Sequence, residues 1–513
     1  MNLVHVTRRQ ACVGGLAALA SSRVLAQSTV EADAPALHGL NRLAYGPAPA
    51  DLGRVMQMGM ERYIDEQLRP ERIPMPQALQ RQLDALDTTR LSQRELIVQF
   101  REAQQAAKND SEEGKAQRRV LYQRLTLQAG EARLLRALQS PAQLQEVMVD
   151  FWFNHFNVFI GKGLDRVLVE NYEREAIRPY TMGRFRDLLG ATAHHPAMLF
   201  YLDNWLSAAP GYQPPRAAGP FAQASGLNEN YARELMELHT LGVDGGYGQS
   251  DVTELARMFT GWTLNPRLRN GDSAFYFDAR RHDHGDKLWM GRRVHGRGQA
   301  EGEEALDVLA AHPATARHIA YQLAQYFVQD QPPPALVERL SRRFLASDGD
   351  IRAVLKMLFD SAEFRAPQVV NAKFKTPYRY LMSAVRASGL AVTNVRPLLA
   401  TAYQLGMPLY GCLTPDGYKN TEEAWLNPEA ITRRVNFATA FASGRLPFAR
   451  PMDEADMQGA GFNPAWATPP VQVDAVLGVL GSGISARTRA TVMQSEPALR
   501  AALVLGSPDF MRH

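Results

Sequence analysis

Cysteine is nearly absent: the 513-residue chain holds two, Cys12 and Cys412. The first falls in an expected N-terminal leader, so the remaining chain has no partner for a disulfide and no set of thiolates for a zinc site. Long hydrophobic runs are missing as well. Past the leader no window approaches the about eighteen consecutive apolar residues that a membrane-crossing helix needs. An excess of charge of one sign is also lacking, since 57 Lys and Arg face 53 Asp and Glu, a formal net charge of +4. Three of those positive charges, Arg8, Arg9 and Arg23, belong to the leader, which has no acidic residue, so the balance without it is +4 − 3 = +1. Without a dense basic face, nucleic acid is excluded as a natural partner. The chain also has no Gly-x-Ser-x-Gly elbow, phosphate-binding glycine loop or haem-attachment cysteine pair, which argues against a common nucleotide enzyme and a c-type cytochrome.

What the N-terminus does contain is the pair Arg8-Arg9, then a mildly apolar stretch from Ala11 to Ala20 softened by Gly14 and Gly15. Val24-Leu25-Ala26 follows. This reads as a twin-arginine signal peptide cleaved after Ala26, so residues 1–26 are expected to be removed and the chain to work in the periplasm or outside the cell. An ordinary secretory signal is the alternative reading. Either one exports the chain, and the twin-arginine route would carry it already folded.

Apolar residues then recur at spacings of three and four almost throughout, which predicts a mainly α protein: one large, bundle-like multi-helical domain over 27–513. Sub-units are expected at 27–206, 225–366 and 367–513. Ser140-Pro141-Ala142-Gln143 predicts a helix start, with the helix running through Val147 to Phe156. Asp251, with Glu254 in the capping position, predicts another through Met258. The charged stretch from Lys108 to Arg119 predicts a solvated helix or an insertion. Proline- and glycine-rich segments predict long loops over 208–224 and 447–470. The one strand signal is a small β-hairpin insertion pairing Phe275-Tyr276-Phe277 with Leu288-Trp289-Met290. Leu358 to Phe364 and Val504 to Phe510 look alike, an internal echo or a coincidence.

One segment is distinctive. Asn228 to Gly246 reads Asn-Glu-Asn-Tyr-Ala-Arg-Glu-Leu-Met-Glu-Leu-His-Thr-Leu-Gly-Val-Asp-Gly-Gly. Together with Phe151-Trp152-Phe153-Asn154-His155-Phe156-Asn157, His195-Pro196-Ala197-Met198-Leu199, Phe259-Thr260-Gly261-Trp262, Lys373-Phe374-Lys375-Thr376-Pro377 and Pro408-Leu409-Tyr410-Gly411, it resembles the domain-of-unknown-function 1800 family. His282-Asp283 with Gly285 and Lys287, and Asn427-Pro428, extend the likeness along nearly the whole chain. The resemblance implies a bacterial protein, often exported and often encoded beside a sulfatase-like companion, with no established activity.

The residues themselves suggest chemistry. On an ideal helix from Leu227 to Leu241, turning about 100° per residue, Asn230, Arg233, Glu234 and Glu237 share one stripe. His239 falls on the apolar side with Ala232, Leu235 and Met236. Glu234 and Glu237 are therefore candidates for an acid–base pair or for holding a divalent cation, unless the stripe is a solvated face closed by an Arg233–Glu237 pair. His155, set among aromatics beside Asn154 and Asn157, is a candidate catalytic or metal-binding residue, or a member of a buried polar network. His195, His239 and His282 complete the candidate metal ligands. His195 can equally cap a helix, and His239 can equally be a core histidine. His282 and His284 alternate on an extended turn and can bite a metal together. Asn230, Arg233, Asp283 and Lys287 are candidate substrate contacts, with an Asp283–Lys287 turn ion pair as the plainer reading. Cys412 reads as a buried, inert thiol.

Two functional readings result. The first is a metal-dependent exported enzyme, a hydrolase or an oxidase, with a His/Glu site. The second is a non-catalytic binding or accessory protein for the sulfatase-like companion or for a polysaccharide, in which Trp205, Tyr212, Trp262, Trp289 and Tyr410 line a groove.

Overall fold

Helical periodicity becomes helix almost everywhere in the computed structural model, which describes residues 33–108, 111–213, 226–265, 268, 273–449 and 467–513. The expected leader and most of the two expected loops, 208–224 and 447–470, lie outside the described residues. The fold is mainly α, and its named strands form two short antiparallel pairs.

The pairing of those strands differs from the expected hairpin. Phe275–Phe277 (β2) pairs with Trp262–Leu264 (β1), and Lys287–Trp289 (β3) pairs with Arg292–Val294 (β4). The reason is local. Met290 and Gly291 both sit at positive φ, 47° and 71°, the geometry of a two-residue hairpin turn that matches strand twist. That tight turn closes β3 onto β4 and leaves β2 to β1. Methionine is an unusual occupant of such a turn, so the signal was masked. β1 is buried along its length, and a Cβ on Gly302 would stand 2.5 Å from the Trp262 ring, so only glycine lets the following helix approach it.

The helix Gln143–His155 begins where Ser140-Pro141 predicts, with Ser140 Oγ accepting from the Ala142 N–H at 3.2 Å. Gln143 does not complete a capping box. Its amide donates back to the Ala137 and Ser140 carbonyls. The other expected start is shifted: the helix is Gln249–Met258, and Asp251 caps the Gly248 N–H at 2.8 Å. Glu254, expected to cap, instead holds Arg257 and the Leu288 N–H. The two look-alike segments share one device, a serine between two helices: Ser361 accepts from the Phe364 N–H, and Ser507 from the Phe510 N–H.

One contiguous apolar core runs from Ala36 to Met511 and joins all three expected sub-units. At its centre lies Gln143–His155, ten of whose thirteen residues are buried, Glu146 and His155 among them. Trp152 is fully enclosed, its indole N–H donating to the Thr181 carbonyl at 3.1 Å. Truncating such a side chain to alanine typically costs roughly 3–5 kcal/mol. The rigidity of this helix fixes the position of its last turn, where the candidate site begins. Among the described residues no helix is long and apolar enough to cross a membrane.

Candidate functional site

The segment expected as one ideal helix from Leu227 to Leu241 is not one. An α-helix, Asn230–Glu234, widens into a π-helical turn, Leu235–His239, and ends there. Thr240 Oγ1 donates back to the Leu235 carbonyl at 2.6 Å, and the Gly242 N–H to that of Met236 at 3.2 Å. A π turn advances each residue by less than an α turn, so side-chain directions drift from the ideal stripe, and such bulges are frequent at functional sites. Glu237 lines a cleft, while His239 points inward against Phe156, ring centroids 5.1 Å apart.

The cleft has a volume of about 350 Å³. The central helix contributes Asp150, Phe151, Asn154 and His155, and the π turn contributes Glu237 and Leu238. His318, Gln322, Gln325 and Tyr326 come from the helix Pro313–Phe327, and Asp416, Tyr418 and Lys419 from a loop. That loop is pinned to the central helix. Asn154 donates to the Tyr418 carbonyl at 2.9 Å and accepts from the Tyr418 N–H at 2.7 Å, while Asn157 donates to the carbonyls of Cys412 and Thr414. The unusual asparagines of the aromatic motif thus satisfy a loop backbone. Close approach demands glycine at 417: its φ is +67°, and a Cβ there would meet the Asn154 carbonyl oxygen at 2.3 Å.

Histidines form the floor. His155 Nε2 donates to the His239 carbonyl at 3.1 Å, and His318 Nε2 to the Leu238 carbonyl at 3.2 Å. The ring centroids of His155 lie 6.0 Å from His239 and 6.3 Å from His318. Burial, and then their mutual repulsion, holds His155 well below the ordinary imidazole range and His239 down to about 3. Burial also lowers His318. All three are neutral at pH 7. His239 Nε2 has no hydrogen-bond partner among the described residues.

Behind the cleft lies a buried ion network that sequence reasoning missed. Arg133 pairs with Glu173 at 3.0 Å and Asp150 at 2.5 Å. Its guanidinium also lies over the rings of Phe153, Tyr378 and Tyr410. Arg178 pairs with Glu173 and, through both nitrogens, with Glu146, and Tyr410 donates to Glu173 at 2.8 Å. Burial acts to raise Glu173, but Arg133 and Arg178 more than offset it and hold it below the usual range. For Asp150 burial outweighs the opposing charges of Arg133 and Arg379 and raises its pKa. The spacing of Arg133 and Asp150 carried no sequence signal, because the network closes through partners up to 237 positions apart.

The remaining expected residues are dispersed. Glu234 is half-buried, raised by burial and then by the charge of Glu237. Arg233 pairs with Glu229 at 3.1 Å and Gln249 at 3.0 Å rather than with Glu237. Asn230 donates to the Leu202 carbonyl. His195 caps the helix Pro196–Tyr201, accepting from the Ala197 N–H at 3.2 Å, while its Nε2 meets Asn171 at 2.8 Å. His282, Lys287 and Glu301 form a wholly buried triad: Glu301 sits 3.0 Å from His282 Nε2 and ion-pairs with Lys287. His282 Nδ1 meets the Thr260 carbonyl at 2.8 Å, so both ring nitrogens are occupied and His284 has no free partner in it. The Asp283 carboxylate pairs with Arg257 at 2.8 Å, while Lys287 donates to the Asp283 main-chain carbonyl. This constellation locks the β3–β4 hairpin to the helix Gln299–Ala310. His155 and His239 stand together while His195 and His282 lie in separate networks, and among the described residues no three His, Cys, Asp or Glu side chains adopt metal-binding geometry. Cys412 is buried and free.

Residues 38–512 match the model of a family described as protein of unknown function (DUF1800). No curated protein and no solved structure matches.

Proposed function

The chain belongs to the DUF1800 family, and from the cleft we propose that it is an exported hydrolase that acts by acid–base catalysis on a polyhydroxylated, saccharide-like substrate. One observation carries this reading: of the three carboxylates that line a single cleft, Asp416 is already held by Lys419 and Thr414, which leaves Asp150, raised by burial, and Glu237 to face each other's space. A carboxyl raised by burial keeps its proton closer to neutral pH, as a general acid must. Asp150 is the proposed acid, giving its proton to the leaving oxygen as the C–O bond breaks. Glu237 is the proposed base, taking a proton from the attacking water.

The lining suits such a substrate. Aromatic faces from Phe151, Tyr326 and Tyr418 stand among the amides of Asn154, Gln322 and Gln325, a mixture that stacks on sugar C–H faces and bonds to hydroxyls. Neutral His155 and His318 stiffen the floor without adding charge. Export through the twin-arginine route is part of the proposal, and it accords with a fold whose described cysteine is unpaired.

Saturation-transfer NMR of the full chain against a panel of neutral oligosaccharides tests the binding half of this reading. Contacts that disappear in Tyr418→Ala, in a chain of unchanged circular dichroism, are expected. A panel without contacts, or contacts indifferent to Tyr418, would overturn it.

A further inference from the structure

A second cavity, of about 490 Å³, lies where the helical hairpin Gln93–Lys108 and Glu112–Gln139 meets the start of the helix Asp165–Tyr172. Its charged lining is wholly basic: Lys115, Arg118, Arg119 and Arg166, with no carboxylate. Lys115 reaches Glu112 at 3.1 Å. Arg118 donates to Gln104 at 3.2 Å, and the Arg166 guanidinium lies over the Tyr122 ring, 5.1 Å from its centroid. None of the three arginines forms an ion pair among the described residues. The Tyr122 hydroxyl, which borders the same cavity, is buried and has no hydrogen-bond partner among the described residues.

A larger groove of about 860 Å³ also gathers cations, Arg339, Arg343, Arg352 and Lys356 among them, but it includes Asp65, Asp350, Asp360 and Glu363 and neutralises itself. Around the smaller cavity Lys115 is paired with Glu112, whereas Arg118, Arg119 and Arg166 repel one another with no ion-pair partner among the described residues. Arginine forks match tetrahedral oxyanions bidentately, and a guanidinium held flat on an aromatic ring is already oriented. The unpartnered tyrosine hydroxyl supplies a further donor.

We propose that this cavity binds a tetrahedral oxyanion, the phosphate or sulfate ester group of a soluble ligand, with Arg118, Arg119, Arg166 and Tyr122 as its contacts. The site is independent of the cleft chemistry. The full chain is titrated calorimetrically with inorganic phosphate, dextran sulfate and uncharged dextran, and separately with phosphatidylglycerol vesicles. Arg119→Ala and Arg119→Ala/Arg166→Gln are the test variants, with Asp150→Asn as the control. Phosphate or dextran sulfate should bind, weaken as salt rises, lose affinity by about tenfold or more in the double variant, and bind undiminished in Asp150→Asn. Uncharged dextran should not compete. Absence of binding by both anions, or equal affinity in the double variant, overturns the proposal. Binding confined to the vesicles overturns it in favour of a membrane surface.

Discussion

His155 donates from Nε2 to the main-chain carbonyl of His239 at 3.1 Å, tying the last turn of the central helix to the π turn that presents Glu237. Both groups are buried, and the bond joins residues 84 apart in sequence. His155→Ala should therefore leave a buried carbonyl unsatisfied beside a void and cost about 2–4 kcal/mol. Glu237→Gln, on the half-exposed cleft wall, should cost far less. Urea denaturation of both variants decides this, and a His155→Ala as stable as Glu237→Gln would show that the bond carries no weight.

The triad of His282, Lys287 and Glu301 is read as structural. Lys287→Met leaves Glu301 charged and enclosed, a change expected to cost about 3–5 kcal/mol, and Lys287→Met/Glu301→Gln should recover much of that loss. Any cleft ligand should bind both variants alike at a temperature where both remain folded. A selective loss of ligand binding would return Lys287 to the substrate site.

Acid should weaken the fold through its buried histidines. His195 is lowered from 6.5 to about 3 by burial and then by Arg174, and His239 from 6.5 to about 3 by burial and then by His318. Each is neutral when folded and takes a proton more readily when unfolded. The stability they contribute is complete above pH 6.5 and falls as pH drops from 6.5 toward 3, by on the order of 1 kcal/mol per pH unit per histidine. Denaturation midpoints measured from pH 7 to pH 4 should follow that slope, and His195→Asn, which keeps a capping oxygen, should flatten it. A slope unchanged by His195→Asn and by His239→Gln would contradict the assignment.

Gly417→Ala should distort the loop, because position 417 combines φ +67° with a 2.3 Å approach to the Asn154 carbonyl oxygen. The expected cost is about 1 kcal/mol or more. Weakened exchange protection at the Tyr418 amide, which Asn154 holds, would show the distortion at its source.

The helical class was legible because the three- and four-residue apolar spacing is local, and so was the start of the central helix at Ser140. Strand pairing was not, since it turned on positive φ at Met290. The segment around Glu234 was legible as a special one, and the ideal-helix projection put His239 on the apolar side where it lies, against Phe156; it did not show the π turn, nor that Arg233 pairs with Glu229 rather than Glu237. Within the site, His155 and Glu237 were named from sequence, whereas Asp150, His318 and Tyr418 were not. Each of those three matters through partners brought together only by the fold. His282, Asp283 and Lys287 drew notice as polar residues in a motif, and their role proves to be in holding a hairpin.

The most direct test of the proposed hydrolysis is turnover itself. Wild-type chain, Asp150→Asn and Glu237→Gln, each verified as folded, are incubated with a pool of neutral oligosaccharides, and products are followed by mass spectrometry. The account predicts release of shorter saccharides by the wild type, with each substitution lowering the rate by about a hundredfold or more while substrate contacts persist. Wild-type release that neither substitution slows, or an intact pool after prolonged incubation with the wild type, would contradict it.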